Sequence, residues 1–280
     1  MTNYIIFDKM HKKLVTKPFK NAGKTFLKEF YIAHYAINTN ISDIGAEKYI
    51  LNPKLFAKRF IAVLAQAGKN GETIVAYDTS SYLSLKLAKN FIINNANIKE
   101  EMKQILNPLE LTTDFLADTL HINAFVINKD IVQRIKSRIQ HPFDSFKAAF
   151  YYGADIRADE YSNRELNNFF DTVKLKRVRF SREFKPSGYE LMQYAPKIAL
   201  KMAGSVLLDA FDNGADFLIV SDTRIFYLMD RKRKEIEHAM GREIPIYLLT
   251  LPQVALMATG ITDKNALGFS AHKIKPTLLG

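Results

Sequence analysis

The sequence predicts an α/β protein made of two pseudo-symmetric Rossmann-like repeats, each a mostly parallel sheet flanked by helices. Residues 214–229 combine a glycine, the apolar run Phe217–Val220 and an Asp-Thr turn that opens an amphipathic helix. This pattern is typical of a buried parallel strand followed by a helix. Residues 71–85 repeat it about half a chain earlier, with Asp78 in the place of Asp222. Strands alternate with helices throughout, as a parallel sheet requires.

The first repeat is predicted to span residues 1–140 and to end at the Gln140-His141-Pro142 link. Apolar residues at a spacing of two indicate strands, and a spacing of 3.6 indicates helices. Asn52-Pro53 is expected to cap and start a helix whose buried face carries Leu55 and Phe56. Strands are predicted over 3–7, 73–77 and 124–127, and helices over 20–35, 53–68, 79–94, 99–106 and 129–139.

The second repeat is predicted to span residues 141–280 with the same alternation. Pro196 falls inside a long helical pattern and is expected to kink or divide that helix. The alternating Lys, Val and Arg of Lys174–Phe180 indicate an edge strand whose outward charges discourage aggregation. Strands are predicted over 147–152, 174–180, 217–220 and 245–249, and helices over 163–173, 189–213, 223–238 and 252–260.

The absence of cysteine from all 280 residues limits the chemistry of the chain. It excludes disulfides, thiolate nucleophiles, zinc ribbons and cysteine-held iron–sulfur clusters. The six histidines show no metal-binding spacing such as HExxH, and no GxSxG elbow is present. We therefore expect no cofactor and no metal, name no catalytic residue, and favour a role other than that of an enzyme.

The chain is basic, with 40 Lys and Arg against 29 Asp and Glu and a formal net charge of +11. This balance fits a nucleic acid, an anionic membrane surface or an acidic protein partner. In Lys174–Lys185 basic residues alternate with Phe180 and Phe184, so this stretch could contact phosphates and stack bases. The edge-strand interpretation is favoured. The basic run Arg231–Lys234 is expected to be a solvated helix face with i to i+4 ion pairs.

Two segments bear on localisation. Ile244–Ile261 carries no charge, but Pro245 and Pro252 interrupt it, which favours a strand and a short helix over a membrane span. Met1–Lys20 lacks the apolar segment and small-residue cleavage site of a signal peptide. We expect a cytoplasmic protein without a membrane span.

Several segments of the second half resemble a known family. The pattern GADFLIV, a four-residue turn and an apolar helix, followed by IPIYLLTLPQVALMATG and LGFSAHK, is similar to the C-terminal half of the heterodisulfide reductase B family and related cysteine-rich CCG-domain proteins. Those proteins carry two repeats of Cys, Cys-Cys-Gly and Cys-x-x-Cys, and each repeat can hold an iron–sulfur cluster. The resemblance implies a pseudo-symmetric pair of repeats that docks to other electron-transfer proteins.

In the second half, the positions that correspond to the family's cysteines keep the family's spacing, but other residues occupy them. Ala154 stands at the first cysteine, Pro186-Ser187-Gly188 at the Cys-Cys-Gly, and Asp222 and Ile225 at the Cys-x-x-Cys. The glycine of the Cys-Cys-Gly remains. None of the residues at the ligand positions is a thiolate that could bind the cluster.

The first half shows the same replacement. Met10 stands at the first cysteine, Asp43-Ile44-Gly45 at the Cys-Cys-Gly, and Asp78 and Ser81 at the Cys-x-x-Cys. The segment VAYDTSSYLSLKLA is especially similar to the family's strand, turn and helix. All ten cluster positions are therefore vacated, and the family's cluster chemistry and disulfide reduction are excluded.

The polar residues at and beside the vacated positions admit two interpretations. They could line a pocket at the C-terminal edge of each sheet, where open α/β sheets bind ligands, and hold a hard cation or an anion. The favoured alternative is that Asp78 and Asp222 only cap the helices that follow them. The residues of the candidate pocket are Asp43, Asp78, Ser81, Ser187, Asp222 and Arg224.

Three functions remain open from the sequence. The leading hypothesis is a cluster-free relative of the heterodisulfide reductase B family that acts as a structural or interaction subunit, with a protein partner or with itself. The rival is an enzyme or a binder of a small ligand, an anion or a metal that reuses a vacated pocket. The third is a basic nucleic-acid binder.

Overall fold

The computed structural model describes residues 3–10, 15–154 and 163–276. In this part of the chain the backbone forms two four-stranded sheets, and every pair of neighbouring strands is parallel. The strands follow the same spatial order in both sheets relative to their order in the chain. The predicted α/β fold with two pseudo-repeats is confirmed.

The strands in chain order are β1 (Asn3–Phe7), β2 (His34–Ala36), β3 (Glu72–Ala76), β4 (Thr119–His121), β5 (Lys147–Tyr151), β6 (Lys176–Val178), β7 (Phe217–Val220) and β8 (Tyr247–Leu249). The helices are α1 (Lys17–Glu29), α2 (Pro53–Lys69), α3 (Thr79–Ile93), α4 (Ala96–Leu106), α5 (Ile122–Val126), α6 (Lys129–Lys136), α7 (Asn163–Thr172), α8 (Pro196–Asp212), α9 (Thr223–Phe226), α10 (Arg233–Met240) and α11 (Leu251–Ala258). One sheet has the order β2-β1-β3-β4 and the other β6-β5-β7-β8.

Packing divides the chain into two compact units. Unit 1 comprises Met1–Leu14 and Tyr31–Ile122, and unit 2 comprises Val15–Phe30 and Asn123–Gly280. Helix α1 therefore belongs to unit 2, although it lies between two strands of unit 1 in the chain. The two units are defined by packing, whereas the two predicted repeats are defined by sequence similarity. The repeat boundary near residue 140 therefore stays a prediction.

Strands β3 and β7 are interior strands of their sheets, and each has an apolar segment that is covered on both faces. Ile74–Ala76 of β3 and Phe217–Val220 of β7 are completely buried. Since alternate residues of a strand point to opposite faces, burial of consecutive residues means that both faces of each strand are covered. The two copies of the strand-turn-helix pattern thus form the middle of their sheets.

Beside the sheet of unit 1, helix α2 packs on α3 through apolar side chains. Phe60 and Leu64 of α2 and Leu85 of α3 belong to one buried cluster. The side chain of Asn52 caps α2 by accepting a hydrogen bond from Leu55 N at 2.9 Å, as predicted. Leu55 itself was expected on the buried face, and this prediction is wrong because its side chain is 65% exposed.

The edge-strand prediction for residues 174–180 is confirmed by β6, which pairs only with β5 among the described strands. Leu175 and Val178 face the core, while Lys174 and Lys176 are exposed. The long helix predicted over 189–213 is divided near Pro196, which begins α8. Proline is favoured at the first position of a helix, because a main-chain N–H at that position has no partner inside the helix and its loss costs nothing.

Two predicted elements of the first half are wrong. Residues 124–127 were predicted as a strand, but they belong to the end of the short helix α5 and the turn after it, and the strand is the preceding β4. An apolar run of four residues does not distinguish a strand from a buried helical turn. The helix predicted to reach residue 35 ends at Glu29, because Tyr31 adopts a left-handed φ of 53° and the chain then forms β2.

The basic run Arg231–Lys234 was expected to be solvated, and this prediction is wrong for one of its residues. Arg233 is buried, and its guanidinium donates hydrogen bonds to the main-chain oxygens of Met229, Ile244 and Ile246. Burial lowers the pKa of this guanidinium from its usual value. Through these hydrogen bonds Arg233 connects the start of α10 to the segment that precedes β8.

The uncharged segment Ile244–Ile261 forms β8 and α11, the strand and short helix that its prolines predicted. Across the described ranges, no helix is both long enough and apolar enough to cross a membrane.

We expect Gly68→Ala to destabilise the protein by about 3 kcal/mol in denaturant unfolding, because a Cβ there would overlap the main-chain oxygen of Phe115. That backbone is held against α2 by the hydrogen bond from Ala117 N to Leu64 O. Gly71→Ala is the control: a Cβ there meets open space, so only its φ of 66° adds a cost of about 1 kcal/mol. Equal costs for the two variants would contradict the close approach at Gly68.

Candidate functional site

The vacated positions Asp78 and Asp222 directly follow β3 and β7 and cap the next helices. Asp78 Oδ1 accepts a hydrogen bond from Ser81 N at 3.2 Å at the start of α3. Asp222 Oδ1 accepts one from Arg224 N at 2.7 Å at the start of α9. Both carboxylates are buried. Each satisfies main-chain N–H groups that have no partner inside the helix, as the capping interpretation predicts.

In unit 1 the buried carboxylate of Asp43 ties the loop at the Cys-Cys-Gly position to α3. Its Oδ2 accepts a hydrogen bond from Ser80 Oγ at 2.6 Å. Its Oδ1 accepts hydrogen bonds from Ser84 Oγ at 2.6 Å and from Gly45 N at 3.2 Å. The carboxylate thus binds groups of the protein itself through three hydrogen bonds.

The sequence did not identify Ser80 and Ser84 as partners of Asp43. The available signal was their spacing of four residues, which places both on one face of a helix. That face is buried, and two serines on a buried helix face require acceptors. Nothing local in the sequence shows that the acceptor is Asp43, because the contact spans more than thirty residues.

The remaining vacated positions of unit 1 differ in burial and in hydrogen bonding. Asp43 N donates a hydrogen bond to Lys9 O, which brings the loop beside Met10, itself a buried side chain. Ile44 is only partly buried. Ser81 Oγ is completely buried and has no hydrogen-bond partner among the described residues. The structure therefore brings Asp43 to Ser80 and Ser84, while the hydroxyl of Ser81 is left without a partner.

In unit 2 the vacated Asp222 forms a buried ion pair with Arg224. Asp222 Oδ2 lies 2.6 Å from Arg224 Nη2, and Asp222 Oδ1 lies 3.0 Å from Arg224 Nε. The two side chains are only 2% and 3% exposed. A two-point contact of this kind fixes the orientation of both planar groups. Glu190 adds a second, partly exposed carboxylate 3.9 Å from Arg224 Nη1.

The other vacated positions of unit 2 differ in exposure. Ile225 is buried and lies against Gly153, since a Cβ on that glycine would come within 3.3 Å of Ile225 Cδ1. Ala154 and Pro186 are exposed. Ser187 is buried, and its Oγ accepts a hydrogen bond from Tyr189 N at 3.2 Å.

Both glycines retained at the Cys-Cys-Gly positions have conformational reasons to be glycine. Gly45 has a φ of 97° and Gly188 a φ of 87°, in the region that side chains rarely adopt. A Cβ on Gly188 would also lie 2.9 Å from the main-chain oxygen of Ala199 in α8. The turns are therefore fixed by backbone geometry that remains after the cysteines are lost.

The donor set at the vacated positions does not fit an iron–sulfur cluster. Ile44, Ile225 and Ala154 have no ligand atom, and Asp222 is paired with an arginine. Within the described ranges, no group of three His, Cys, Asp or Glu side chains is arranged to hold a metal ion. His11 lies outside the described residues.

The basic segment 174–185 differs from a base-stacking surface. Phe180 is buried, so it cannot stack on a base as the nucleic-acid alternative required. Arg179 Nε lies 2.9 Å from the buried carboxylate of Glu183. Burial raises the pKa of Glu183. Phe184 is exposed, and its ring stacks on that of Tyr152 at 4.5 Å.

A buried polar network links α11 to the LGFSAHK segment that carried part of the resemblance. Thr250 and Gln253 form a capping box at the start of α11. Gln253 Nε2 donates to Leu267 O at 2.6 Å and lies 3.1 Å from His272 Nε2. Burial lowers the pKa of His272 to about 3. The neutral imidazole accepts the amide hydrogen bond and packs edge-on against Phe226.

Two comparisons with known proteins agree with this fold. Residues 189–273 match the model of the HdrB-like C-terminal domain family, which confirms the resemblance over these residues. A solved structure, described as the crystal structure of a hypothetical protein from Helicobacter pylori, matches 99% of this chain with a TM-score of 0.83 and 23% identity. The match covers 53% of that chain, so the present chain spans about half of its length. No curated protein gives a significant match.

We expect Asp43→Ala to lower the free energy of unfolding by about 3 kcal/mol, because the two serine hydroxyls and Gly45 N lose a buried acceptor. Asp78→Ala should cost about 1 kcal/mol, the usual loss for a helix cap. Denaturant unfolding of both variants measures the difference. If Asp43→Ala costs no more than Asp78→Ala, the carboxylate does not hold the loop.

The depressed pKa of His272 predicts a loss of stability in acid. The unfolded side chain takes up a proton near pH 6.5, whereas the folded one does so only near pH 3. Its contribution is therefore complete above pH 6.5 and falls by about 1.4 kcal/mol per pH unit between these values. Unfolding of the native chain and of His272→Gln across this range isolates the effect. Parallel pH profiles for the two proteins would refute it.

Proposed function

We propose that the chain is a cluster-free, non-catalytic relative of the heterodisulfide reductase B family that acts in the cytoplasm as a structural or protein-interaction subunit. The observation that carries this proposal is the buried Asp222–Arg224 ion pair at the vacated Cys-x-x-Cys of unit 2. A guanidinium and the carboxylate bound to it occupy a position where the family has cluster ligands. The turn is thereby satisfied by the chain's own groups.

Unit 1 supports the same role by different chemistry. There the carboxylate of Asp43 binds two hydroxyls of α3 and a main-chain N–H of its own loop. Such contacts hold a loop in place and leave little capacity to bind a ligand. The match at residues 189–273 supports descent from proteins that, by the resemblance, dock to other electron-transfer proteins.

Exposed apolar side chains support a role in protein interaction. In unit 1, Ile50, Leu51 and Leu55 are all more than half exposed. In unit 2, Tyr194 and Ile198 are also more than half exposed. Clusters of large apolar side chains at a surface are typical of sites where proteins bind other proteins.

One observation favours the rival hypothesis of a reused pocket. Ser81 Oγ is completely buried and has no hydrogen-bond partner in the described structure, which is unusual for a polar atom. A small ligand that binds at the carboxyl end of β3 would supply the missing partner. On this hypothesis Mg²⁺ or phosphate raises the unfolding temperature, and Ser81→Ala abolishes the increase.

Purification of the tagged full chain from its native host under anaerobic conditions tests the proposed function. We expect no stoichiometric iron or acid-labile sulfide and no visible cluster absorption, because no thiolate is available to bind iron. We also expect partner proteins to co-purify, as identified by mass spectrometry against a mock-tagged control. Stoichiometric iron, or Ser81-dependent stabilisation by a small ligand without any co-purifying protein, would overturn the proposal.

A further inference from the structure

An open groove in unit 1 runs between the loop at the vacated Cys-Cys-Gly position and the first turns of α2. Its volume is about 690 Å³. Apolar side chains line it from both sides: Ile41 and Ile44 from the loop, Leu51 from the segment before α2, and Leu55 and Phe56 from α2 itself. The groove therefore uses one of the vacated cluster positions as part of its wall.

The rim of this groove exposes apolar area that the rest of the unit does not cover. Leu51 is 77% exposed and Leu55 is 65% exposed, whereas Phe56 beneath them is buried. The backbone that carries Leu55 is held in the first turn of α2 by the hydrogen bond from Leu55 N to Asn52 Oδ1 at 2.9 Å. These side chains are available to a partner without any rearrangement of the core.

The groove is positively charged at its edges. Lys48, Lys58 and Arg59 line it, and none of the described residues that line it is acidic. Lys58 shares the single carboxylate of Glu101 with Lys54, at 2.8 and 2.7 Å, so this acid does not balance the cations around the groove. A partner that buries its own apolar residues in this groove matches its charge best when acidic residues flank those apolar residues.

The loop that forms one wall is held rigidly. The hydrogen bonds from Ser80, Ser84 and Gly45 to Asp43 fix the residue next to Ile44. A preformed groove loses less conformational freedom on binding than one that must be ordered by its partner. The loop thus positions Ile44 in the wall of the groove.

Two other occupants fit this surface less well. A second copy of the chain would bring together two proteins that each carry a net charge of +11. A single-stranded nucleic acid is commonly bound by aromatic rings that stack on its bases, but the exposed lining is aliphatic, and the nearby ring of Tyr49 packs against Phe56 and Phe91.

We propose that this groove binds an amphipathic helix of a partner protein, with leucine-like anchors between Leu51 and Leu55 and with acidic residues against Lys48, Lys58 and Arg59. This is the helix-in-groove mode of recognition, in which residues spaced by one helical turn enter an apolar groove. The inference rests on the proposed function, since it specifies the surface and the partner class of the interaction subunit.

The test uses the full chain and a fluorescent peptide with leucines on one helical face and glutamates elsewhere. Fluorescence anisotropy should show saturable binding that weakens as salt increases. Leu51→Ser combined with Leu55→Ser should weaken binding at least tenfold, or about 1.4 kcal/mol. Lys48→Glu should also weaken it. Leu109→Ser, at a 55% exposed leucine of unit 1 that does not line the groove, is the control and should change nothing.

Several results would overturn the assignment. The assignment fails if the double variant binds the peptide as tightly as the native chain does. It also fails if a peptide with lysine in place of glutamate binds equally well, or if single-stranded RNA displaces the peptide. Self-association in sedimentation that the double variant abolishes would assign the groove to a second copy. If co-purifying partners are retained by the double variant, the proposed interaction role stands and the groove assignment fails. If no partner protein co-purifies and the peptide does not bind, both the proposed interaction role and the groove assignment are rejected.

Discussion

In each unit a hydrogen bond to a buried carboxylate closes the turn that joins an interior strand to the next helix, β3 to α3 and β7 to α9. A parallel strand that feeds a helix brings the helix N-terminus into the interior, where the first N–H groups have no partner in the helix. Asp78 and Asp222 accept one such bond each and keep the turn closed. A carboxylate of the protein thus caps the helix at each turn where the resembling family has cluster ligands.

The two units neutralise their buried carboxylates in different ways. Asp43 is solvated by neutral hydroxyls and a main-chain N–H, whereas Asp222 is balanced by the opposite charge of Arg224. A buried charge is tolerated only when such groups replace the water that it has lost. The repeats therefore share the capping carboxylate at the equivalent positions Asp78 and Asp222. They differ in the groups around it, because Pro186 stands where unit 1 has Asp43 and Ser80 stands where unit 2 has Arg224.

The sequence predicted the two parallel repeats and the edge position of β6 from periodic patterns, and the division of the long helical pattern from Pro196. It failed where local patterns are ambiguous or overridden. A short apolar run became α5, and Leu55 faces solvent although its spacing matches the core. At the site, the caps were predictable because they are local. Contacts such as Asp43 with Ser84, or Gln253 with His272, depend on segments brought together only by folding.

The assignment of α1 to unit 2 imposes an order on synthesis. This helix follows β1 in the chain, but it packs against α11 near the other end. Its apolar residues Phe19 and Phe26 are buried in the folded protein, and this native packing requires residues that are synthesised much later. Domains usually fold from the N-terminus as they emerge. Here α1 can pack against α11 only after translation has passed α11.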